Sequence, residues 1–472
     1  MSRKNKRQLF ARVPVIDTGA KGKVIAKTED GKVLLVNNAV PGDIVDIQTF
    51  KKRKNYFEGT AVYFHEYSKH RVEPVCKHFG TCGGCKWQHM AYESQLAFKQ
   101  QEVENALTRI GRVSIPAICP ILGCDEPYYY RNKMEFSFSN NRWLSREEID
   151  SDNTDLDRNA LGFHVPGMWD KIIDIEECHL QAEPSNSIRL GIKKFAADNA
   201  LPFFDPRNQS GWLRTLMIRT SNTGEVMVLL QFFHEDVEKR ELLLNYVKTS
   251  FPSITSLLYV INPKGNDTIY DLDIQCYSGK EYIEETMEDL TFKINAKSFY
   301  QTNSSQAYAL YKVVREFANL QGDELVYDLY TGLGTIAQFV AKMTSKIVGI
   351  ESVPEAIEAA KKHAKENKIT NAHFEVGDMK KVFNTDFVNR HGVPDLVITD
   401  PPRDGMHKDV VEQLLQLAPE RIVYVSCNPA TQARDLALMD AVYQIEKVQP
   451  VDMFPHTHHV ENVVLLKKRI NL

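Results

Sequence analysis

Leu325-Val-Tyr-Asp328-Leu-Tyr330-Thr331-Gly332-Leu-Gly334-Thr335 starts as an apolar strand, turns through small residues, and enters a helix expected over Ile336 to Met343. Small residues at such a turn let the backbone approach a ligand closely. A second apolar run, Lys346-Ile-Val-Gly-Ile-Glu351, ends in a carboxylate 19 residues after Gly332, where an acid can accept both hydroxyls of a ribose. Strand, loop, helix, strand and acid in this order make a nucleoside site. A helix over Pro354 to Lys368, a strand Ala372-His-Phe-Glu-Val and then Gly377-Asp378 continue the winding, which puts Asp378 at an adenine edge. The alternation is that of a doubly wound α/β sheet. The loop lacks the full G-x-G-x-x-G of a dinucleotide fold, with Gln338 three after Thr335 and no third glycine, and the P-loop lysine is missing. S-adenosylmethionine is the common cofactor that remains.

Further on, Asp395-Leu-Val-Ile-Thr-Asp400-Pro-Pro-Arg403 ends a strand in an acid and two prolines, a rigid edge where a planar base can face a sulfonium. After a helix over 408–418, Ile422-Val-Tyr-Val-Ser-Cys427-Asn-Pro429 reads as a buried strand that presents a cysteine at its C-terminal end. A cysteine beside a strand is most often structural. Its position after the nucleoside pattern favours a nucleophile. The chain closes on Val442-Tyr-Gln-Ile-Glu-Lys-Val and His459-Val-Glu461-Asn-Val-Val-Leu-Leu, where Glu461 interrupts an apolar run at its mouth.

At 472 residues the chain exceeds a single core, and ordinary domain sizes predict two to four domains. Apolar content of 43% and charged content of 25% are those of a soluble globular protein. No apolar run approaches the ~18 residues of a membrane span. The charged N-terminus is followed by no apolar segment, so no signal peptide and a cytoplasmic location are expected. Net charge is -4, yet residues 1–60 hold 13 Lys and Arg against 6 Asp and Glu, the footprint of a nucleic-acid contact module. The run from Arg3 to Arg7 fits a solvated tail equally well.

Five short strand-like runs between Val13 and Phe64, punctuated by Gly22, Asp30-Gly31 and Pro41-Gly42, predict a small barrel of the OB type. Lys51-Lys-Arg-Lys-Asn-Tyr-Phe57 adds cations beside aromatics, a combination suited to a nucleic-acid strand. Cys76, Cys82 and Cys85 then stand at spacings of five and two intervening residues, with Cys178 as a fourth thiol. Four thiolates suit zinc or an iron–sulfur cluster, and the three-plus-one spacing leans toward [4Fe–4S]. Cys119, Cys124 and Cys276 are read as packing residues. Ala91 to Ile110 predicts a helix with Leu96, Val103, Leu107 and Ile110 on its apolar face. Residues 120–293 read as mainly β, with a polar surface loop over Ser145 to Asn159. Arg131 and Lys133 suit phosphate contact or a solvated strand face.

Taken together, these motifs resemble the RNA (uracil-5-)-methyltransferases, in particular the 23S rRNA branch with a TRAM domain and a [4Fe–4S] cluster. Ser298-Phe-Tyr-Gln301-Thr-Asn303 adds to the likeness, which covers nearly the whole chain. Thr331 departs from it, since many members have cysteine there, and the change is expected to affect loop packing more than activity. The resemblance implies a multidomain α/β fold: a TRAM barrel over 1–66, a central mainly-β iron–sulfur and RNA-binding domain over 67–90 and 120–293, and a Rossmann-like methyltransferase domain over 91–119 and 294–472. It implies Cys76, Cys82, Cys85 and Cys178 as cluster ligands. Gln301, Tyr330, Gly332, Gly334, Glu351, Asp378 and Asp400 are expected around S-adenosylmethionine, with Cys427 as nucleophile and Glu461 as general base. RNA, 23S rRNA first, is the expected partner, with no membrane role and nothing requiring more than a monomer. A tRNA uracil-5 methyltransferase, an RNA cytosine-5 methyltransferase and a non-catalytic RNA-binding protein on the same scaffold are the alternatives. Cytosine-5 enzymes usually carry a cysteine where this chain has Pro402.

Overall fold

Alternating buried and exposed residues close five strands into a barrel in the computed structural model, which describes residues 7–151, 153 and 155–470. They are β1 (Leu9–Thr18), β2 (Val24–Lys27), β3 (Val33–Asn37), β4 (Ile44–Lys52) and β5 (Tyr56–Glu66). The order β1-β2-β3-β5-β4, with β3 and β5 parallel and β4 paired back to β1, is the expected OB arrangement. Val13, Val15, Val24, Leu34, Val36 and Ile47 fill its interior. The basic run from Arg3 to Lys6 lies outside the described residues.

The expected helix is α1 (Tyr92–Asn105), extended by a π-helical turn over Ala106–Gly111. Its buried face differs from the apolar stripe. Val103 and Leu107 are buried, but Leu96 is half-buried and Ile110 is 56% exposed, while Gln95 and Lys99 are fully buried. A pattern of apolar residues alone misplaces a face that buries polar side chains with partners.

Next come β6 (Lys133–Ser139), α2 (Arg146–Asp150), β7 (Ala160–Val165), β8 (Met168–Asp174), α3 (Ser185–Asp198), β9 (Leu213–Thr220), β10 (Val226–Phe232), α4 (Val237–Ser250), β11 (Ser256–Ile261) and β12 (Gln275–Gly279). Their strands form a seven-stranded sheet in the order β12-β11-β10-β9-β6-β7-β8. Helices α3 and α4 add to the mainly β expectation two helices it did not place. Each buries a stripe at helical spacing, Ile188, Ile192 and Ala196 in one and Leu243 and Val247 in the other. The polar loop also holds the short α2, opened by a capping box in which Glu148 N–H donates to Ser145 Oγ and Ser145 N–H to Glu148 Oε2. A hairpin of β13 (Tyr282–Met287) and β14 (Leu290–Asn295) follows.

The rest alternates as expected: α5 (Ser304–Ala318), β15 (Leu325–Leu329), α6 (Thr335–Ala341), β16 (Lys346–Glu351), α7 (Pro354–Glu366), β17 (Ala372–Val376), α8 (Met379–Val382), α9 (Thr385–His391), β18 (Leu396–Thr399), α10 (Lys408–Leu417), β19 (Arg421–Ser426), α11 (Pro429–Met439), β20 (Tyr443–Val451) and β21 (Glu461–Lys468). The sheet order is β17-β16-β15-β18-β19-β21-β20. β15 to β19 run parallel, and β21 is antiparallel to both neighbours. Among the described residues, no helix is long and apolar enough to cross a membrane.

Helix α1 packs on this last sheet through Val103, Ala106 and Leu107. Its Lys99 Nζ donates to Asp452 Oδ1 at 2.6 Å and to the Phe454 carbonyl at 3.1 Å, and both side chains of the ion pair are fully buried. Tyr92 Oη donates to Asp452 Oδ2 at 2.9 Å, so each carboxylate oxygen has a partner. Removing one member of such a pair strands a buried charge. Lys99→Met is expected to cost about 3–5 kcal/mol of unfolding free energy in urea titrations. A loss below ~1 kcal/mol would show that the pair is not a structural hinge of this packing.

Candidate active site

In an open parallel sheet the ligand crevice lies beyond the C-terminal ends of the strands where the winding reverses. Here that point is between β15 and β18. The chain leaves β15 through Tyr330 at φ 64°, a left-handed conformation that a bulky aromatic residue seldom adopts. Gly332 and Gly334 follow at φ 55° and 73°. A Cβ on Gly334 would lie 2.7 Å from the Phe374 ring, so only glycine fits. A Cβ on Gly332 would meet nothing within 4 Å, so the loop faces open space. Thr331 hydroxyl donates to the buried Asp328 carboxylate, which binds the loop to its strand.

Glu351 stands between this loop and α7. Its Oε1 accepts the N–H groups of Ser352 and Val353 at 2.6 and 3.1 Å, and its Oε2 accepts Gly332 N–H at 3.3 Å. A cleft of about 780 Å³ opens beside it, lined by Tyr330, Ser352, Gly377, Asp378 and Pro402. Tyr330, Glu351 and Asp378 thus gather around one crevice. Gln301 does not line it. Its segment borders a second cleft of about 1280 Å³, walled by Tyr300, Thr302, Arg131, Lys133, Arg403 and His459.

The register of β19 and β21 brings the reactive groups together. Ser426 pairs with Asn462, and the next residues outward are Cys427 on one strand and Glu461 on the other. The charge of Glu461 acts on the Cys427 thiol, so the two side chains stand near one another beyond the end of the ladder. Gln432 of α11 locks the pair, donating to the Tyr424 and Asn462 carbonyls and accepting from Asn462 Nδ2 at 2.7 Å. Asn428 caps α11 and donates from Nδ2 to the Arg403 carbonyl at 3.0 Å, which ties the cysteine turn to the Asp400-Pro-Pro-Arg403 edge.

Electrostatics bind the same four residues. Burial pushes Glu461 up to about 8, with the like charge of Asp400 adding and Arg403 opposing. Burial pushes Asp400 up to about 7, helped by Asp328. Burial, then Glu461 and Asp400, push the Cys427 thiol up to about 11, while Arg403 pulls it down. Burial, then Tyr300 and the acids Asp400, Asp328 and Glu461, raise the phenol of Tyr311, in the core on α5. Sequence analysis gave Arg403 and Tyr311 no role. Arg403 was visible within the proline motif, whereas Tyr311 looks like any core residue of an amphipathic helix.

Cys76, Cys82, Cys85 and Cys178 line the larger cleft together. All are half-buried and without disulfides. Cys82 and Cys178 pack on one apolar cluster of Val165, Ile173 and Ile175, and Gly83 fits against Pro166. Burial and then mutual repulsion raise Cys85 to about 12 and Cys82 to about 11, the latter with the Gly84 N–H opposing. The donor chemistry is that of a soft metal centre. The expected closed ligand shell is nevertheless not formed: among the described residues, no three His, Cys, Asp or Glu side chains stand close enough to hold a metal ion. Three of the thiols ride on turns and bends between Cys76 and Cys85, where no helix or strand sets their spacing. Of the cysteines read as packing residues, Cys124 is buried, Cys119 is half-buried and Cys276 is exposed.

A family model described as tRNA (Uracil-5-)-methyltransferase matches residues 273–469, and a TRAM domain model matches residues 10–62. A Porphyromonas gingivalis protein named Uncharacterized RNA methyltransferase is 56% identical over 459 residues, 96% of this chain and 98% of its own. A Bacteroides thetaiotaomicron protein of the same name is 55% identical over 453 residues, 95% of this chain and 100% of its own. The chain belongs to the RNA uracil-5-methyltransferase family, with a TRAM domain. Among solved structures, Pyrococcus abyssi tRNA (uracil-54, C5)-methyltransferase in complex with S-adenosyl-L-homocysteine superposes with a TM-score of 0.75 at 28% identity, over 96% of this chain and 100% of its own.

For an RNA uracil-5-methyltransferase, whose cofactor is S-adenosylmethionine, the crevice fits in kind. It offers an open glycine turn, the Glu351 carboxylate beside that turn and Asp378 further along. Thr331, the departure from many family members, is a packing residue through its bond to Asp328. The charges around Cys427 can be tested directly. Its alkylation, followed by peptide mapping, should climb between pH 7 and 10 without levelling. Glu461→Gln removes a raising charge and should move that limb to lower pH, and Arg403→Gln should move it to higher pH. Superposed profiles for all three would contradict the coupling.

Proposed function

We propose that this enzyme methylates carbon 5 of a uridine in 23S rRNA through a transient bond between Cys427 and carbon 6. The observation that carries the reading is the end of the β19–β21 ladder, just beyond which the Cys427 thiol stands within electrostatic reach of the buried Glu461 carboxyl. Bound S-adenosylmethionine supplies a methyl group on a positively charged sulfonium. Cys427, as thiolate, adds to carbon 6 and turns carbon 5 into an enolate-type nucleophile. Once methylated, carbon 5 carries a proton and a methyl group. Glu461 takes that proton, the double bond re-forms, and the Cys427 thiolate leaves. A carboxyl raised to about 8 accepts a proton near neutral pH far better than an ordinary one.

In this reading Glu351 holds the ribose, Asp378 the adenine edge, and Tyr330, Gly332 and Gly334 shape the crevice. Gln301 reaches the cofactor from the neighbouring segment, and Asp400 faces both cofactor and base. The target base leaves its stack to enter, while the TRAM barrel (1–66) and the central unit (67–90 and 120–293) grip RNA beside the methyltransferase unit (91–119 and 294–472). The barrel and the thiol cavity support the ribosomal branch. The likeness to a tRNA (uracil-54, C5)-methyltransferase over 96% of the chain favours tRNA as the second reading.

Tritium release from RNA labelled at uracil carbon 5 separates the two. Wild type should release tritium from unmethylated 23S rRNA in a cofactor-dependent way, and Cys427→Ala should lose at least ~10³-fold. Release from tRNA alone would move the substrate. Glu461→Gln should methylate and then stall, leaving a denaturation-resistant protein–RNA adduct that Cys427→Ala cannot form. No adduct with Glu461→Gln would remove Glu461 from the base role.

We also propose that Cys76, Cys82, Cys85 and Cys178 close on a [4Fe–4S] cluster that shapes the RNA cleft. Their support is a shared cavity and a shared apolar backing. Anaerobically purified protein should contain iron and acid-labile sulfide in equal amounts, about four of each per chain. Stoichiometric zinc without sulfide would overturn the assignment.

A further inference from the structure

The segment between β14 and α5, residues 296–303, leads from the β13–β14 hairpin to the methyltransferase sheet and forms no strand, with one isolated bridge from Asn303 to Arg131. Its carbonyls are taken up by two side chains at one end of the central sheet. Arg219 on β9 donates from Nη1 to the Asn295 carbonyl at 2.9 Å and from Nη2 to the Ser298 carbonyl at 3.1 Å. Asn132 immediately precedes Lys133, the β6 partner of Arg219. Its main-chain N–H donates to the Thr302 carbonyl at 2.8 Å. Its Nδ2 donates to the Gln301 carbonyl at 2.9 Å and to Ser304 Oγ at 2.8 Å, and Ser304 Oγ donates onward to Glu285 Oε1 at 2.9 Å.

These groups are sealed from water: Arg219 and Glu285 are each 2% exposed and Asn132 is 7% exposed. Burying a guanidinium is costly, and a carboxylate partner is the usual compensation. Among the described residues Arg219 forms no ion pair, and its hydrogen bonds go to this segment. Beyond Gln301, Asn303 caps α5 and donates from Nδ2 to the Met453 carbonyl at 3.0 Å. The backbone of Gln301 is therefore pinned on both sides. Its side-chain amide, in contrast, has no hydrogen-bond partner among the described residues, and it is half-buried. A fixed backbone carrying an amide that no protein group engages is preorganised for a ligand.

We propose that Asn132 and Arg219 are positioning residues through which the central sheet sets Gln301 for cofactor binding. This rests on the reading of Gln301 as a cofactor contact. The two act through the main chain of residues 295–302 and touch neither cofactor nor base. The central sheet is then a part of the cofactor site as well as a surface for RNA.

The test is calorimetric titration of S-adenosylhomocysteine into the full-length protein as wild type, Gln301→Ala, Asn132→Ala and the double variant. Arg219→Lys, which keeps the charge but loses the fork, and Asn132→Asp, which keeps the shape but turns a donor into an acceptor, serve if Asn132→Ala does not fold. Gln301→Ala should weaken binding about tenfold, the loss of one well-placed hydrogen bond. Asn132→Ala or Asn132→Asp and Arg219→Lys should each weaken it about three- to tenfold, with KM for RNA unchanged in the Asn132 variants. The double variant should bind no more weakly than Gln301→Ala, because residues acting through one another are non-additive. Additive losses, or normal binding by the Asn132 and Arg219 variants while Gln301→Ala is impaired, would overturn the positioning role alone. Normal binding by Gln301→Ala would overturn the reading of Gln301 and this proposal with it.

Discussion

β21 runs against β19, and in antiparallel strands each residue has one partner directly across the ladder. Everything reactive in this chain depends on that register. With Ser426 opposite Asn462, the residues just past the ladder are a thiol from a strand arriving at the crevice and a carboxyl from a strand leaving it. A slip of one residue would turn both side chains to the opposite face. The lock supplied by Gln432, which bonds both strands from α11, guards against that slip. A parallel strand in the same place would have entered from the far end of the sheet and brought no residue of its beginning to this mouth.

The loop that leads into Glu461 is held from outside the sheet. Lys99 and Tyr92 grip Asp452, and Gln95 Oε1 accepts the His456 N–H at 2.9 Å, while the His456 carbonyl accepts the N–H groups of Lys86 and Trp87. One short loop thus joins α1, the segment after the thiols and the strand that starts with the carboxyl. Trp87 Nε1 also donates to the Gly22 carbonyl of the barrel. The barrel, the thiol loop and the reactive face are mechanically connected through residues that touch no ligand.

Much of the catalytic sheet was legible because parallel core strands are runs of Val, Ile and Leu that stop at chemistry-bearing residues. Glu351, Asp400 and Cys427 stand at such stops, and Glu461 opens the antiparallel β21. What escaped was set by contacts instead of local pattern. Gln95 and Lys99 are buried because partners more than 350 residues away satisfy them, which a count of apolar positions cannot register. The left-handed Tyr330 has no signature either, since nothing in an aromatic residue announces φ 64°. Helices α3 and α4 carried the four-residue spacing of Ile188, Ile192 and Ala196 or of Leu243 and Val247, masked by the strands around them. The thiol spacing pointed to a ligand set, and the cavity they share agrees in place while the closed shell is not there.

The ion pair between α1 and the last loop joins positions 353 residues apart. During synthesis at ~5–20 residues per second, Lys99 emerges roughly 20–70 s before Asp452 exists. The barrel and the central sheet can form in that interval, but α1 has no surface on which to dock. Until then α1 and the turn after it stand with Val103 and Leu107 unburied. Docking of α1 therefore follows the synthesis of Asp452, and a product truncated before that residue would carry the barrel and the central sheet with an unsheltered helix.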